Sequence, residues 1–211
     1  MNEKARNLKP ALLVVVLAVI AAAFGVYLKG EGDGKVESST VQTGAALPQG
    51  AVSKALATGA MTAFVVKAER KPVPDISFLP ENGAATSLKA WQGRVVLVNL
   101  WATWCAPCRE EMPSLAKLQS EMGSPDFEVV AIAVDRKGLE ASAKFLTEVG
   151  AIALKLYADP STETLGKFQA VGLPSSILID REGREIGRLA GPAEWNSPEA
   201  KALIKAAIAE K

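Results

Sequence analysis

Apolar residues run without interruption from Ala11 to Leu28, behind a stretch holding Lys4, Arg6 and Lys9. The run shows no polar face, so it does not fit a helix packed on a globular core. Eighteen helical residues reach about 27 Å, close to the ~30 Å of a bilayer's hydrocarbon. From Asp75 onward the pattern changes to short blocks. "DISFLPENGAATSL" predicts two short strands around a Pro-Glu-Asn-Gly turn. "RVVLVNLWA" and "FEVVAIAVD" are continuous apolar runs, as in strands buried on both faces. "CREEMPSLAKLQSEM" and "GLEASAKFLTEVG" are amphipathic, the second stopped by Gly150. "ALKLYAD" predicts a short strand and "STETLGKFQAV" a short helix. "SSILID", "REGR" and "EIGRLAG" predict strand, turn and strand. "SPEAKALIKAAIAEK" predicts a closing helix with Ser197 as N-cap and Pro198 at its first position. Strands alternate with helices and a hairpin follows, so the expected class is α/β with a mixed central sheet flanked by helices.

Three regions follow from these patterns. Residues 1–30 form an N-terminal membrane anchor, a transmembrane helix whose basic front predicts a cytoplasmic N-terminus. A cleaved signal peptide is the alternative, although its apolar core is usually shorter and ends at a small-residue cut site. Either way the remainder is delivered, in a bacterium, to the periplasmic side of the inner membrane. Residues 31–71 form a tether, rich at first in Gly, Ser and Thr. Within it "AVSKALATGAMTAFVV" predicts one helix on the domain's flank. Residues 72–211 form the folded domain, with an extended boundary at "KPVPD".

Composition narrows the chemistry. The 24 basic and 23 acidic residues balance, which argues against a nucleic-acid partner. The chain has no histidine, which removes Ser-His-Asp and Cys-His nucleophiles and His-ligated metals. No metal ligand set is expected. Two cysteines, Cys105 and Cys108, are the whole complement. Joined, they close a loop too small to constrain the unfolded chain much. Their use is therefore chemical.

Cys105 follows a buried strand and opens a helix. Free N–H groups and the dipole at a helix N-terminus favour a thiolate. A spacing of three puts Cys108 on the same helix face, where it can resolve a mixed disulfide formed at Cys105. Cys105 is thus the expected exposed nucleophile and Cys108 the buried resolver. Trp101 is expected in the core, Trp104 over the disulfide as a docking surface, and Trp195 as a cap on the sheet edge without a functional role.

"WATWCAPC" resembles the active-site motif of the thioredoxin superfamily, and "VGLPSSILID" resembles its cis-proline loop. "LVNLWATWCAPCREEMPSLAKLQ" and "AGPAEW" are similar to the TlpA-like, membrane-anchored thiol-disulfide interchange proteins. The resemblance implies a thioredoxin-like fold and a protein-disulfide reductase whose only redox group is the Cys105–Cys108 pair, with no further cofactor. It implies that Pro113 kinks the helix, and that Ala106, Pro107, Leu173 and Pro174 join Trp104 in binding substrate. It places Glu111 where related anchored proteins carry a glutamate that exchanges protons with the dithiol. Asn99 stands where thioredoxin has a buried acid, and cannot titrate. The implied partners are disulfide-bearing clients, either oxidase copper-assembly factors or apocytochrome c, and a membrane donor of reducing equivalents.

Two rivals are weaker. A peroxidase Pro-x-x-x-Thr-x-x-Cys pattern fails, because Val98 and Trp101 stand at the proline and threonine positions. A copper carrier or an interaction module without redox turnover remains the alternative, since paired thiolates suit Cu(I).

Overall fold

A computed structural model describes residues 52–210. The predicted anchor at 11–28 and the tether up to residue 51 lie outside the described residues. Among the described residues no helix is long and apolar enough to cross a membrane.

The elements in chain order are β1 (Val65–Val66), β2 (Leu79–Pro80), β3 (Val95–Trp101), α1 (Ala106–Met122), β4 (Phe127–Ala133), α2 (Gly138–Glu148), β5 (Tyr157–Ala158), α3 (Glu163–Lys167), β6 (Ser175–Ile179), β7 (Glu185–Ala190) and α4 (Pro198–Ala209). They build one sheet with the order β1-β7-β6-β3-β4-β5-β2. β3 pairs in parallel with β4 and antiparallel with β6, so the sheet is mixed as expected. Every residue of β3 and β4 is buried, because both faces of the sheet are covered.

Side chains alternate along β3, so its two faces feed two cores. Val95, Leu97 and Trp101 pack with Met112 and Leu115 of α1, Phe145 of α2, and Leu203 and Ile204 of α4. Val96, Val98 and Leu100 pack with Phe78, Trp91, Tyr157 and Phe168. Asn99 is a polar residue on the first of these faces, and it points toward α1.

Two local expectations are corrected. Residues 52–66 do not form the one helix expected over 51–66. They form two 3-10 turns, Lys54–Leu56 and Gly59–Met61, followed by β1. Gly59 adopts φ 52°, which a right-handed helix cannot continue through. The segment instead inserts Met61 and Phe64 into the core. The hairpin expected over 75–88 is reduced to a single bridge, Phe78 to Thr86. Leu79–Pro80 leaves it to pair with β5 at the sheet's end, the one place where a proline without an N–H fits a strand. The closing helix is as expected: Ser197 Oγ accepts from Ala200 N at 3.2 Å, with Pro198 next in line.

Candidate active site

β3 ends at Trp101, and the chain turns through Ala102, Thr103 and Trp104 before α1 begins. Asp135, just past β4, fixes that turn. Its carboxylate accepts from Thr103 N at 3.1 Å, from Thr103 Oγ1, and from Lys137 N at 3.0 Å. Burial pushes the Asp135 carboxyl up, but these hydrogen bonds outweigh it and hold the group below its ordinary value.

Cys105 is the N-cap of α1, and its Sγ accepts from Cys108 N at 3.2 Å. The two sulfurs are joined in a disulfide. Pro107 lies in the first helical turn, where a backbone N–H has no partner in any case. Cys105 retains 5% of its accessible surface and Cys108 none. Of the two cysteines, Cys105 is thus the one a partner can reach, although it is far more covered than an exposed nucleophile was expected to be. Ala106 and Pro107 are exposed beside it, and Trp104 is 68% exposed. Trp101 is fully buried, its ring 4.7 Å from that of Phe145 between centroids, and the Arg109 guanidinium lies over the Phe145 ring, 4.6 Å from its centroid.

The Leu173–Pro174 peptide is cis. Ser175 pairs with Leu100, so this loop lies beside the end of β3 from which the Cys105 turn departs. Pro174 itself is buried and accepts at its carbonyl from Gly191 N at 2.9 Å. Leu173 is half-buried, and neither its N–H nor its C=O is hydrogen-bonded among the described residues. A free main-chain donor and acceptor are what an added extended segment requires. Val171, two residues earlier, is 92% exposed, and its sequence position gave no sign of it.

Glu111 lies one turn beyond Cys108 on α1 and is buried. Oε1 accepts from Trp195 Nε1 at 2.6 Å and from Ala193 N at 3.1 Å. Oε2 accepts from Asn99 Nδ2 at 3.0 Å. Burial dominates and pushes the carboxyl up to about 7; the hydrogen bonds from Trp195, Asn99 and Ala193 oppose it only in part. Glu111 is therefore a buried acid that can gain or lose a proton near neutrality, next to a dithiol whose chemistry consumes and releases protons. Pro113 lies inside the helix just after it. Glu110 is exposed, as its spacing predicts.

Trp195 corrects the sequence reading. It does not cap the sheet edge. It is fully buried in the first core and holds Glu111. Only its place in "AGPAEW" singled it out, and that block does not say which residue it touches. Asn99, set aside because it cannot titrate, is a direct partner of the group that can.

The comparisons agree with this geometry. The Redoxin family model matches residues 68–204. The chain is 34% identical over 125 residues to "Thiol:disulfide interchange protein HelX" of Rhodobacter capsulatus, covering 58% of this chain and 68% of that one. It is 28% identical over 121 residues to "Thiol-disulfide oxidoreductase ResA" of Bacillus cereus, covering 57% and 69%. Among solved structures, a putative thiol:disulfide interchange protein DsbE from Chlorobium tepidum aligns with TM-score 0.60 and 30% identity over 68% of this chain and 99% of that one. Fold and site together define a thioredoxin-fold enzyme of thiol-disulfide interchange, a protein-disulfide reductase. The chain belongs to the Redoxin family and is a TlpA-like member of the thioredoxin superfamily.

Proposed function

We propose that the chain is a membrane-anchored periplasmic reductant of client disulfides, held at the inner membrane by residues 11–28. The observation that carries the reading is the asymmetry of the pair: Cys105 reachable, Cys108 fully buried one helical turn before a buried acid. In the reduced enzyme, the Cys105 thiolate attacks a client disulfide and expels one client thiolate. Cys108, deprotonated, then attacks Cys105 Sγ and expels the second. The client gains two electrons, and the enzyme is left with the Cys105–Cys108 disulfide. That pair is the redox group, and no further cofactor is invoked.

Glu111 is the group that takes the Cys108 proton in this scheme and returns it when a membrane donor of reducing equivalents restores the dithiol. Trp104, Ala106, Pro107 and the Leu173–Pro174 loop form the surface on which the client's chain lies. With 24 basic and 23 acidic residues, no basic excess favours a nucleic-acid partner. The clients are proteins that must present free cysteines outside the cytoplasm: copper-assembly factors of cytochrome oxidase or apocytochrome c. The resemblance to TlpA-like proteins supports both classes.

The test is a trap. The Cys108→Ser chain, expressed with its anchor in its host and quenched in acid, is expected to carry a client joined to Cys105. A copper-assembly factor or oxidase subunit assigns oxidase maturation, and an apocytochrome assigns haem-thiol reduction. Absence of any disulfide-linked protein above the Cys105→Ser background overturns the reading.

A further inference from the structure

Asn99 sits at the centre of the first core's polar island. Its amide nitrogen uses both hydrogens: one on Glu111 Oε2 at 3.0 Å, one on Ser176 Oγ at 2.9 Å. Its oxygen, Oδ1, is buried and has no hydrogen-bond partner among the described residues. Asn99, Ser176 and Trp195 are all fully buried. An orphaned amide oxygen in a core is costly, and native structures contain few of them. The arrangement suits one state of Glu111 only. An ionised carboxylate accepts from three donors: Trp195 Nε1, Ala193 N and Asn99 Nδ2.

The protonated acid needs an acceptor. Trp195 Nε1 and Ala193 N can only donate, so Oε1 cannot carry the proton without losing a partner. The proton must sit on Oε2, where it would face the Asn99 N–H groups donor to donor. The two ends of a carboxamide are nearly equal in size and opposite in hydrogen-bonding sense. The terminal torsion of asparagine is broad and roughly two-fold. Half a turn about it presents Oδ1 to the Glu111 O–H. The Ser176 hydroxyl, now an acceptor, can rotate to donate. One end of the amide is unpaired in either state: Oδ1 against the carboxylate, the Nδ2 donors against the acid.

We propose that Asn99 is the proton-state adapter of Glu111: its amide faces the carboxylate with Nδ2 and the carboxylic acid with Oδ1, and the Ser176 hydroxyl reverses with it. No electrons move and no bond of Asn99 changes; one proton arrives at or leaves Oε2. Around Glu111, α1 contributes Cys108, β3 Asn99, β6 Ser176 and the β7–α4 loop Trp195. No charged side chain acts on it among the described residues. A second acid at position 99 would couple to Glu111 and give the pair shared proton affinities. An apolar residue there would leave Oε2 without a partner in either state. Asparagine serves both states.

The proposal rests on Glu111 as proton partner of the dithiol only for its purpose; the two fail separately. The experiment is NMR on the oxidised full-length chain in detergent, with ¹⁵N in asparagine and ¹³C in glutamate. The Glu111 carboxyl carbon and the Asn99 amide are followed from about pH 4 to about pH 9. Both are expected to titrate with one midpoint, the Asn99 amide protons losing their hydrogen-bonded shifts on the acid side. An Asn99 amide that stays constant through the Glu111 midpoint overturns the proposal, and so does a Glu111 that keeps one protonation state throughout. Asn99→Leu removes a charge-assisted bond from the ionised form and a weaker neutral one from the acid, so the Glu111 midpoint should rise by about one pH unit, tenfold in proton affinity. A downward shift contradicts the proposal. If Asn99 titrates as expected but Glu111→Gln leaves the pH dependence of the reduction potential unchanged, the adapter stands and the redox role of Glu111 falls.

Discussion

Trp195 donates its indole N–H to Glu111 at 2.6 Å across 84 positions of sequence. The contact ties the loop before the last helix to the helix that carries the dithiol. It also gives a buried carboxyl one of the three donors that keep its proton affinity near neutrality rather than far above it.

Glu111 makes stability depend on pH with a definite sign. Its folded value, about 7, lies above its ordinary 4.5. The unfolded chain therefore releases this proton first. Stability from this group is intact below pH 4.5 and is lost as pH rises from there through about 7. The shift corresponds to at most about 3 kcal/mol above that window. Glu111→Gln keeps the volume and an acceptor for Trp195 but does not titrate. In denaturant melts it should gain on the wild type as pH rises, with the difference closing below pH 4.5. A difference that is constant with pH would show that Glu111 does not titrate in the folded chain.

Asp135 acts through the turn it fixes. Asp135→Ala leaves Thr103 N and Lys137 N without their acceptor beside the active site. The cost should be about 1–3 kcal/mol in chemical denaturation. Reduction of a protein disulfide should slow as the Trp104–Cys105 segment loses its anchor. Unchanged stability and rate would remove Asp135 from the site's support.

Trp104 tests the docking surface. At 68% exposure its removal takes little from the core, so Trp104→Ala should change stability by no more than about 0.5 kcal/mol. Reduction of insulin should slow about tenfold or more, the loss of one well-placed aromatic contact of roughly 1.4 kcal/mol or more. Reaction with a small disulfide such as oxidised glutathione should be nearly unaffected. Equal slowing with both substrates would place Trp104 in the chemistry rather than in client binding.

The parts legible in the sequence were those coded locally. The all-apolar runs of β3 and β4 announced strands covered on both faces, and the three-residue cysteine spacing announced a dithiol at a helix start. The Ser197–Pro198 cap was legible for the same reason. The misreadings have equally physical causes. A positive φ at Gly59 is invisible in a hydrophobicity pattern, so one helix was expected where two turns exist. Strand Leu79–Pro80 chose Tyr157–Ala158, far along the chain, over its hairpin neighbour. Glu111 was found through its spacing from Cys108 and the resemblance, but its holders were not. Asn99 and Trp195 reach it from other elements, and no local periodicity encodes a contact between two side chains brought together only by the sheet.

Differential alkylation distinguishes attack by Cys105 and resolution by Cys108 from the reverse order. The reduced full-length chain is treated briefly with iodoacetamide at neutral pH, unfolded, and treated with a heavier reagent before peptide mass analysis. The first label is expected on Cys105 and the second on Cys108. First labelling of Cys108, or of both at equal rates, would contradict it.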